Sequence, residues 1–423
     1  MTSLALSPDV AASVLAEQQE AYAALQARDL SLDVTRGKPS PEQLDLSNAL
    51  LALPGEGNVR DGGTDTRNYG GLMGSAALRE IFAELLNVPV GQLLAGGNGS
   101  LTLMHNALTF ATLFGVPGGE RPWAKEETVR FVCPVPGYDR HFVLCEELGI
   151  EMITVPMTPE GPDAEAVAEL VASDPTIKGM WVVPTHSNPD GATVSDDVAR
   201  RLVSMPTAAP DFRIMWDNAY AVHHLTDVET PSADALGLAA EAGNPDRVLL
   251  FASTSKITFA GAGVSFLGAS PANLDWFTKH LGVQSIGPDK VNHLRHALFF
   301  GDADGVRAHM RQHAEIIAPK FEAVEQILTE RLGGTGVAEW TTPTGGYFVS
   351  LDVVPGTAAR VIALAKEAGI ALTPAGSTYP YGKDPLDGNI RLAPTMPPLE
   401  DVKVAMDGVA TCVLLAAAEA ALA

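Results

Sequence analysis

A chain of 423 residues has room for two or three domains, and its 46% hydrophobic content can fill a large core. Acidic side chains outnumber basic ones 51 to 28, a formal net charge of −23 that repels nucleic acid and anionic membranes. An anionic ligand must therefore rely on a few locally concentrated lysines or arginines. Three scattered cysteines, Cys133, Cys145 and Cys412, argue against a disulfide framework or a cysteine zinc site and point to a reducing compartment, the cytoplasm.

Met1–Val10 has no basic stretch followed by an apolar core, so no signal peptide is expected. Ser7-Pro8 predicts a helix start, with Ser7 as cap and Pro8 at the first helical position, running to about Arg28. Asp33 to Pro41 predicts an extended piece and then a loop. Helices follow at Ala76–Leu86 and Leu101–Phe114. Strands are expected at Val129–Cys133 and Met152–Val155, a helix at Asp163–Ala172, a strand at Met180–Val183 and a helix at Asp196–Ser204. Arg213–Trp216, Arg247–Ala252 and Val264–Gly268 read as further strands. Short apolar strands alternating with amphipathic helices predict an α/β fold, with a mostly parallel sheet covered on both faces. After about residue 300 come a long helix, Gly305–Arg331, then Tyr347–Val353, a helix at Ala358–Ala368, an isolated strand at Ile390–Leu392 and a closing helix. This predicts a smaller α+β domain over 316–423, joined by an arm over 1–45, beside a large domain over 46–315. The apolar tail Val409–Ala423 is too short to span a bilayer and is expected to pack as a terminal helix.

Four segments carry chemistry-bearing residues, and three of them allow a second, ordinary reading. In Phe251-Ala-Ser-Thr-Ser-Lys256, hydroxyls at Ser253 and Ser255 flank a lysine just after a strand, a pattern suited to a carbonyl cofactor with a phosphate. In Met215-Trp-Asp-Asn-Ala-Tyr220, Asp217 and Tyr220 follow a buried strand. Ligands bind at the carboxyl ends of such strands, though Asp217 could equally cap a following helix. In Pro184-Thr-His-Ser-Asn-Pro-Asp-Gly191, the amide of Asn188 could meet a phenolic oxygen or simply belong to an Asn-Pro turn. Ala95-Gly-Gly-Asn-Gly-Ser100 precedes a helix without a clear strand before it: an anion site made of free amides, or a glycine turn.

Together these segments resemble, over nearly the whole chain, the aspartate aminotransferase-like fold-type I enzymes that use pyridoxal 5'-phosphate. The order matches, with Asn188 29 residues before Asp217 and Lys256 39 residues after it. The resemblance implies Lys256 as the Schiff-base lysine and proton shuttle, Asp217 as partner of the ring nitrogen, and Asn188 and Tyr220 as partners of the phenolic oxygen. Tyr138, in Pro134-Val-Pro-Gly-Tyr138, would stack on the ring unless it is a core tyrosine. Gly99, Ser100 and Ser253, with Ser255 less directly, would hold the phosphate. Tyr69, in Asn68-Tyr-Gly-Gly-Leu-Met-Gly74, would reach the phosphate of a neighbouring subunit, which implies a homodimer with shared sites. Arg391 would grip the substrate α-carboxylate in a planar fork, with Gly37 and Asn188 beside it.

The sequence departs from the family at Val264, where many members place an arginine that pairs with the phosphate. A buried phosphate needs a counter-charge. The expected substitute is Lys290, with Arg295 second, although either could meet the substrate's distal carboxylate or be a surface charge. The Arg36-Gly-Lys-Pro39 and Lys290–His296 segments are similar to a divergent branch of bacterial aspartate aminotransferases. The resemblance thus implies transamination, with aspartate and 2-oxoglutarate as the favoured pair. A β-lyase or decarboxylase on the same fold, or a non-enzymatic cofactor or metabolite sensor, are the other readings. No metal site is expected, and His186, His223 and His224 read as supporting or solvated residues.

Overall fold

The computed structural model describes residues 4–423. The expectation of no signal peptide in Met1–Val10 falls partly on residues 1–3, outside the described ones. Eight strands form the main sheet, in the spatial order Leu93–Ala95, Ser265–Ala269, Val248–Ser253, Arg213–Asp217, Ile177–Val182, Arg130–Val135, Glu151–Thr158 and Gly161–Pro162. The five from Val248–Ser253 to Glu151–Thr158 are parallel, and Ser265–Ala269 and Gly161–Pro162 run against their neighbours.

The central strands are buried on both faces, which explains why they read as continuous apolar runs. Ile214 and Trp216 enter one apolar layer and Met215 the other. Leu250 and Ala252 repeat the alternation against Leu249 and Phe251, as a two-residue period requires. The result is a set of parallel strands whose carboxyl ends all open on one edge of the sheet.

The smaller body has its own core. Phe321, Leu328, Leu351, Val361, Leu392 and Val409 are buried there together with Ala11 and Leu25 of the N-terminal helix Pro8–Gln26. The long helix Ala303–Leu332 serves both cores: Val306 and Met310 pack on the sheet, Phe321 to Leu332 on the smaller body. Leu32–Asp33 pairs in parallel with Ile370–Ala371, tying the arm to the smaller body.

Several expectations need correction. Ile390–Leu392 is not isolated: Asn389–Leu392 pairs antiparallel with Val349–Val353, which also pairs with Ala338–Trp340. The partners lie some 40 residues apart, so no local pattern announces the pairing. Ser7 stands at the cap position of the first helix, but its side chain makes no capping bond. The closing helix runs from Leu399 to Leu422 and is long and apolar enough to cross a membrane; 72% of its most apolar window is buried inside the fold. That helix approaches its neighbours closely at Gly408, where a Cβ would stand 2.4 Å from Ile370 Cδ1 and 3.2 Å from Leu25 Cδ2.

The two bodies join beside the sheet's carboxyl edge. Leu225 N donates to Thr344 O at 2.9 Å and Gly346 N to His223 O at 2.8 Å, while a Cβ on Gly345 would lie 2.1 Å from His186 Nε2. Gly345→Ala therefore has to push the buried His186 ring, two residues before Asn188. We expect a loss of roughly 1–3 kcal/mol, seen as a lower thermal midpoint; an unchanged midpoint would show that the junction yields freely.

Candidate active site

The expected residues arrive at the carboxyl edge on separate elements. Tyr138 follows Arg130–Val135, Asn188 follows Ile177–Val182, Asp217 ends Arg213–Asp217, and Lys256 lies just beyond Val248–Ser253. This is where open α/β sheets bind ligands. One cavity is lined by Ser100, Tyr138, Asn188, Asp217, Tyr220 and Lys256, together with Leu101, Met104, Val183 and Ala219. A wider groove of about 690 Å³, lined in part by Ala221, His224, Arg307 and Met310, contains neither Lys256 nor Asp217.

Asp217 is 2% exposed. No helix follows it, so the capping alternative falls. Its Oδ2 lies 2.9 Å from His141 Nε2, while its Oδ1 is buried without a partner. An ionised carboxylate can only accept, so that His141 nitrogen carries the proton. The His141 ring stacks on Trp181 at 4.0 Å and 6°, which fixes its plane.

Lys256 Nζ stands 4.8 Å from the centre of the Tyr220 ring. Burial pushes the lysine amine below its ordinary range, and the charge of Asp217 partly opposes this. Burial pushes the Tyr220 phenol well above its ordinary value and that of Tyr138 up to about 12, so both hydroxyls stay protonated donors.

Two segments meet at the cavity's other end. Gly99 is the cap residue of helix Ser100–Phe114, whose first amides have no partner within the helix. The strand Leu93–Ala95 precedes it, a correction to the reading that no clear strand stood there; three residues are too few to show a period. Ser253 Oγ lies 3.1 Å from Ser255 Oγ, and Ser255 Oγ lies 3.5 Å from Asn98 O. A Cβ on Gly99 would meet nothing within 4 Å, so there is open space beside these donors. Val264 is fully buried, and its N–H donates to Thr254 Oγ1 at 2.9 Å. Hydroxyls and helix amides suit a phosphate, and the orphaned Asp217 Oδ1 suits a protonated ring nitrogen.

Arg391 is 6% exposed, with Nη1 3.0 Å from Asp139 Oδ1 and 3.3 Å from Asn188 Oδ1. Its guanidinium carbon lies 5.0 Å from the centre of the Phe348 ring. Gly37 abuts that same ring: a Cβ there would stand 2.5 Å from Phe348 Cζ. Gly37 thus lies against the platform that carries Arg391.

Other expected residues stand apart. Tyr69 is 81% exposed. Lys290 is buried, and its amine donates to Asn68 O at 2.9 Å and Gly70 O at 2.6 Å, the carbonyls either side of Tyr69. Arg295 donates to Leu53 O at 2.9 Å. His186 and His223 are buried rather than solvated, and His186 Nε2 lies 3.2 Å from His224 Nδ1. Among the described residues, no group of three or more His, Cys, Asp or Glu is placed to hold a metal.

Sequence reasoning missed His141, Asp139 and Phe348. The only signal was His141's place one turn beyond Tyr138 in helix Asp139–Glu147, which says nothing about Asp217. His141→Ala should leave Asp217 Oδ2 unpaired and lower kcat/KM roughly ten- to hundredfold, with His141→Gln recovering part by restoring a donor. Steady-state kinetics near wild type for the alanine variant would show that Asp217 needs no such support.

Comparison with known proteins places the chain in a family. The model of the family described as aspartate amino-transferase matches residues 6–423. An aspartate aminotransferase of Corynebacterium glutamicum is 60% identical, over 93% of this chain and 91% of its own length. The crystal structure of an aspartate transaminase from Corynebacterium glutamicum superposes with a TM-score of 0.96 at 58% identity, covering 98% of this chain and 97% of that one. The α-aminoadipate aminotransferase of Thermus thermophilus, solved with N-(5'-phosphopyridoxyl)-L-leucine, shares the fold with a TM-score of 0.73 at 21% identity, covering 94% and 95%. The family match over residues 6–423 and the 60% identical relative, on a fold that carries these polar residues at its sheet's edge, make the chain a member of the aspartate aminotransferase family.

Proposed function

We propose that this aminotransferase works with pyridoxal phosphate held covalently by Lys256, and exchanges amino groups between aspartate and 2-oxoglutarate. The observation that carries the reading is the shared cavity of Lys256 and the orphaned Asp217 Oδ1, bordered by Tyr138, Asn188 and Tyr220. When bound, the cofactor supplies a pyridinium ring that draws off the electrons of a bond to the amino acid's Cα.

The chain's own groups do the rest. Asp217 Oδ1 would hold a proton on the ring nitrogen, with His141 keeping the carboxylate aimed. The Tyr220 hydroxyl and the Asn188 amide would hold the ring's phenolic oxygen, and Tyr138 would cover the ring face. Lys256 Nζ, its basicity lowered by burial, would be freed when the substrate's amino group replaces it on the cofactor, and would then move the proton from Cα to the cofactor's C4′. Gly99, Ser100, Ser253 and Ser255 receive the phosphate. Arg391 binds the α-carboxylate, with Asn188 and the Gly37 loop beside it.

The same reading makes the active form a homodimer. Tyr69, exposed at the tip of its loop, reaches the partner's phosphate. Lys290 fixes that loop with two of its three N–H donors and has one left for the phosphate charge that Val264 cannot balance. The division into an arm over 1–45, a cofactor-binding unit over 46–315 and a smaller unit over 316–423 fits this use. The cytoplasm suits the three free, buried cysteines. Arg391 weighs against decarboxylation, because a carboxylate that must leave gains nothing from an ion pair.

The test is a visible spectrum of the purified protein titrated with single amino acids. Aspartate should convert the carbonyl-form band to the amine-form band, and 2-oxoglutarate should restore it; Lys256→Ala should abolish turnover. Carbon dioxide release in place of that interconversion would sink the reading. Arg391→Leu should raise KM roughly ten- to hundredfold for every amino acid alike, the scale of a charged hydrogen bond. A loss confined to dicarboxylic substrates would move Arg391 to the side-chain pocket.

A further inference from the structure

Arg391 already has a carboxylate partner from its own chain. Asp139 is the one acidic residue that forms an ion pair with it among the described residues, at 3.0 Å from Nη1. The environments of the two partners differ. Arg391 is 6% exposed and its Nε is buried without a hydrogen-bond partner, so the guanidinium has little access to water. A cation so placed is costly to leave without a counter-charge. The Asp139 side chain is 34% exposed, so water can solvate it once it lets go. It is also the first residue of helix Asp139–Glu147, where unpaired amides favour a negative charge with or without the arginine. Tyr138, which precedes Asp139, and Asn188, which Arg391 reaches at 3.3 Å, both line the cavity with Lys256 and Asp217, so the ion pair adjoins the same site.

Resting on the reading that Arg391 takes the α-carboxylate, we propose that Asp139 is a built-in counter-ion that competes with the substrate for Arg391. It neutralises the guanidinium in the empty site, yields to the incoming α-carboxylate and pairs again as the product departs. Its charge weakens the binding of amino acids and keto acids alike, because all of them present the same carboxylate to the same arginine. It does not distinguish one side chain from another. Asp139 is thus a specificity-neutral positioning residue that keeps product release fast.

Asp139→Asn keeps an oxygen facing Nη1 and removes only the charge. In the holoenzyme, the Kd of succinate, read from the cofactor's absorption without turnover, should fall roughly three- to tenfold, the scale of a partly exposed ion pair. The KM values for aspartate and glutamate should fall by the same factor, with the ratio of their kcat/KM values unchanged and kcat equal or lower. Asp139→Glu should stay near wild type. In an Arg391→Leu background, Asp139→Asn should no longer change succinate affinity. A weaker or unchanged Kd in Asp139→Asn, or an effect that persists without Arg391, overturns the proposal. Failure of the wild-type enzyme to interconvert aspartate and 2-oxoglutarate while it still binds succinate would instead overturn the proposed reaction and leave the counter-ion test intact.

Discussion

Asp217 sets the terms for everything around it. A carboxylate 2% exposed at the end of a central strand needs partners for both oxygens, and the fold provides only one, His141 at Oδ2. The other oxygen is buried without a partner, in a residue that lines the cavity. Moving that carboxylate out of water strengthens its interaction with any cation in the cavity and raises the cost of leaving it alone. The stacked Trp181 ring behind His141, the buried phenols of Tyr138 and Tyr220, and the half-buried Lys256 surround this unpartnered oxygen's residue.

The remaining charges obey the same economy. The chain is strongly acidic, and the basic residues expected to meet an anion already have partners within the chain: Arg391 has Asp139, Lys290 the carbonyls of Asn68 and Gly70, and Arg295 Leu53 O. The end of the cavity near Gly99 and Ser253 offers amides and hydroxyls, while Val264 there belongs to the core. Amides at a helix start and neighbouring hydroxyls are oriented dipoles of the kind that suit an anion.

The junction between the two bodies gives the site its second wall. Arg391 lies on the strand Asn389–Leu392 of the smaller body, yet its guanidinium meets Asp139 and Asn188 of the sheet. Gly345 and Gly346 press against His186 so closely that neither has room for a side chain. Any motion of the smaller body is thereby coupled to the position of Arg391 relative to the cavity.

Much of this was legible in the chain. Strands such as Arg213–Asp217 and Val248–Ser253 announce themselves because burial on both faces demands unbroken apolar runs, and a polar residue at the end of such a run marks the sheet's ligand edge. Lys256, Asp217, Asn188 and Tyr138 stand out through the resemblance of their segments, in order, to the family's motifs; taken singly, the patterns at Asp217, Asn188 and Tyr138 each have an ordinary reading as well. The sequence could not reveal contacts between elements far apart in the chain. The pairing of Asn389–Leu392 with Val349–Val353, His141 behind Asp217, Phe348 beneath Arg391 and Lys290 beneath the Tyr69 loop each join residues whose own neighbours look ordinary. Local composition determines which residues lie in strands and which polar groups stand at their ends. Only the packing of whole elements decides which buried charge meets which partner, because that depends on distances through space that no spacing along the chain encodes.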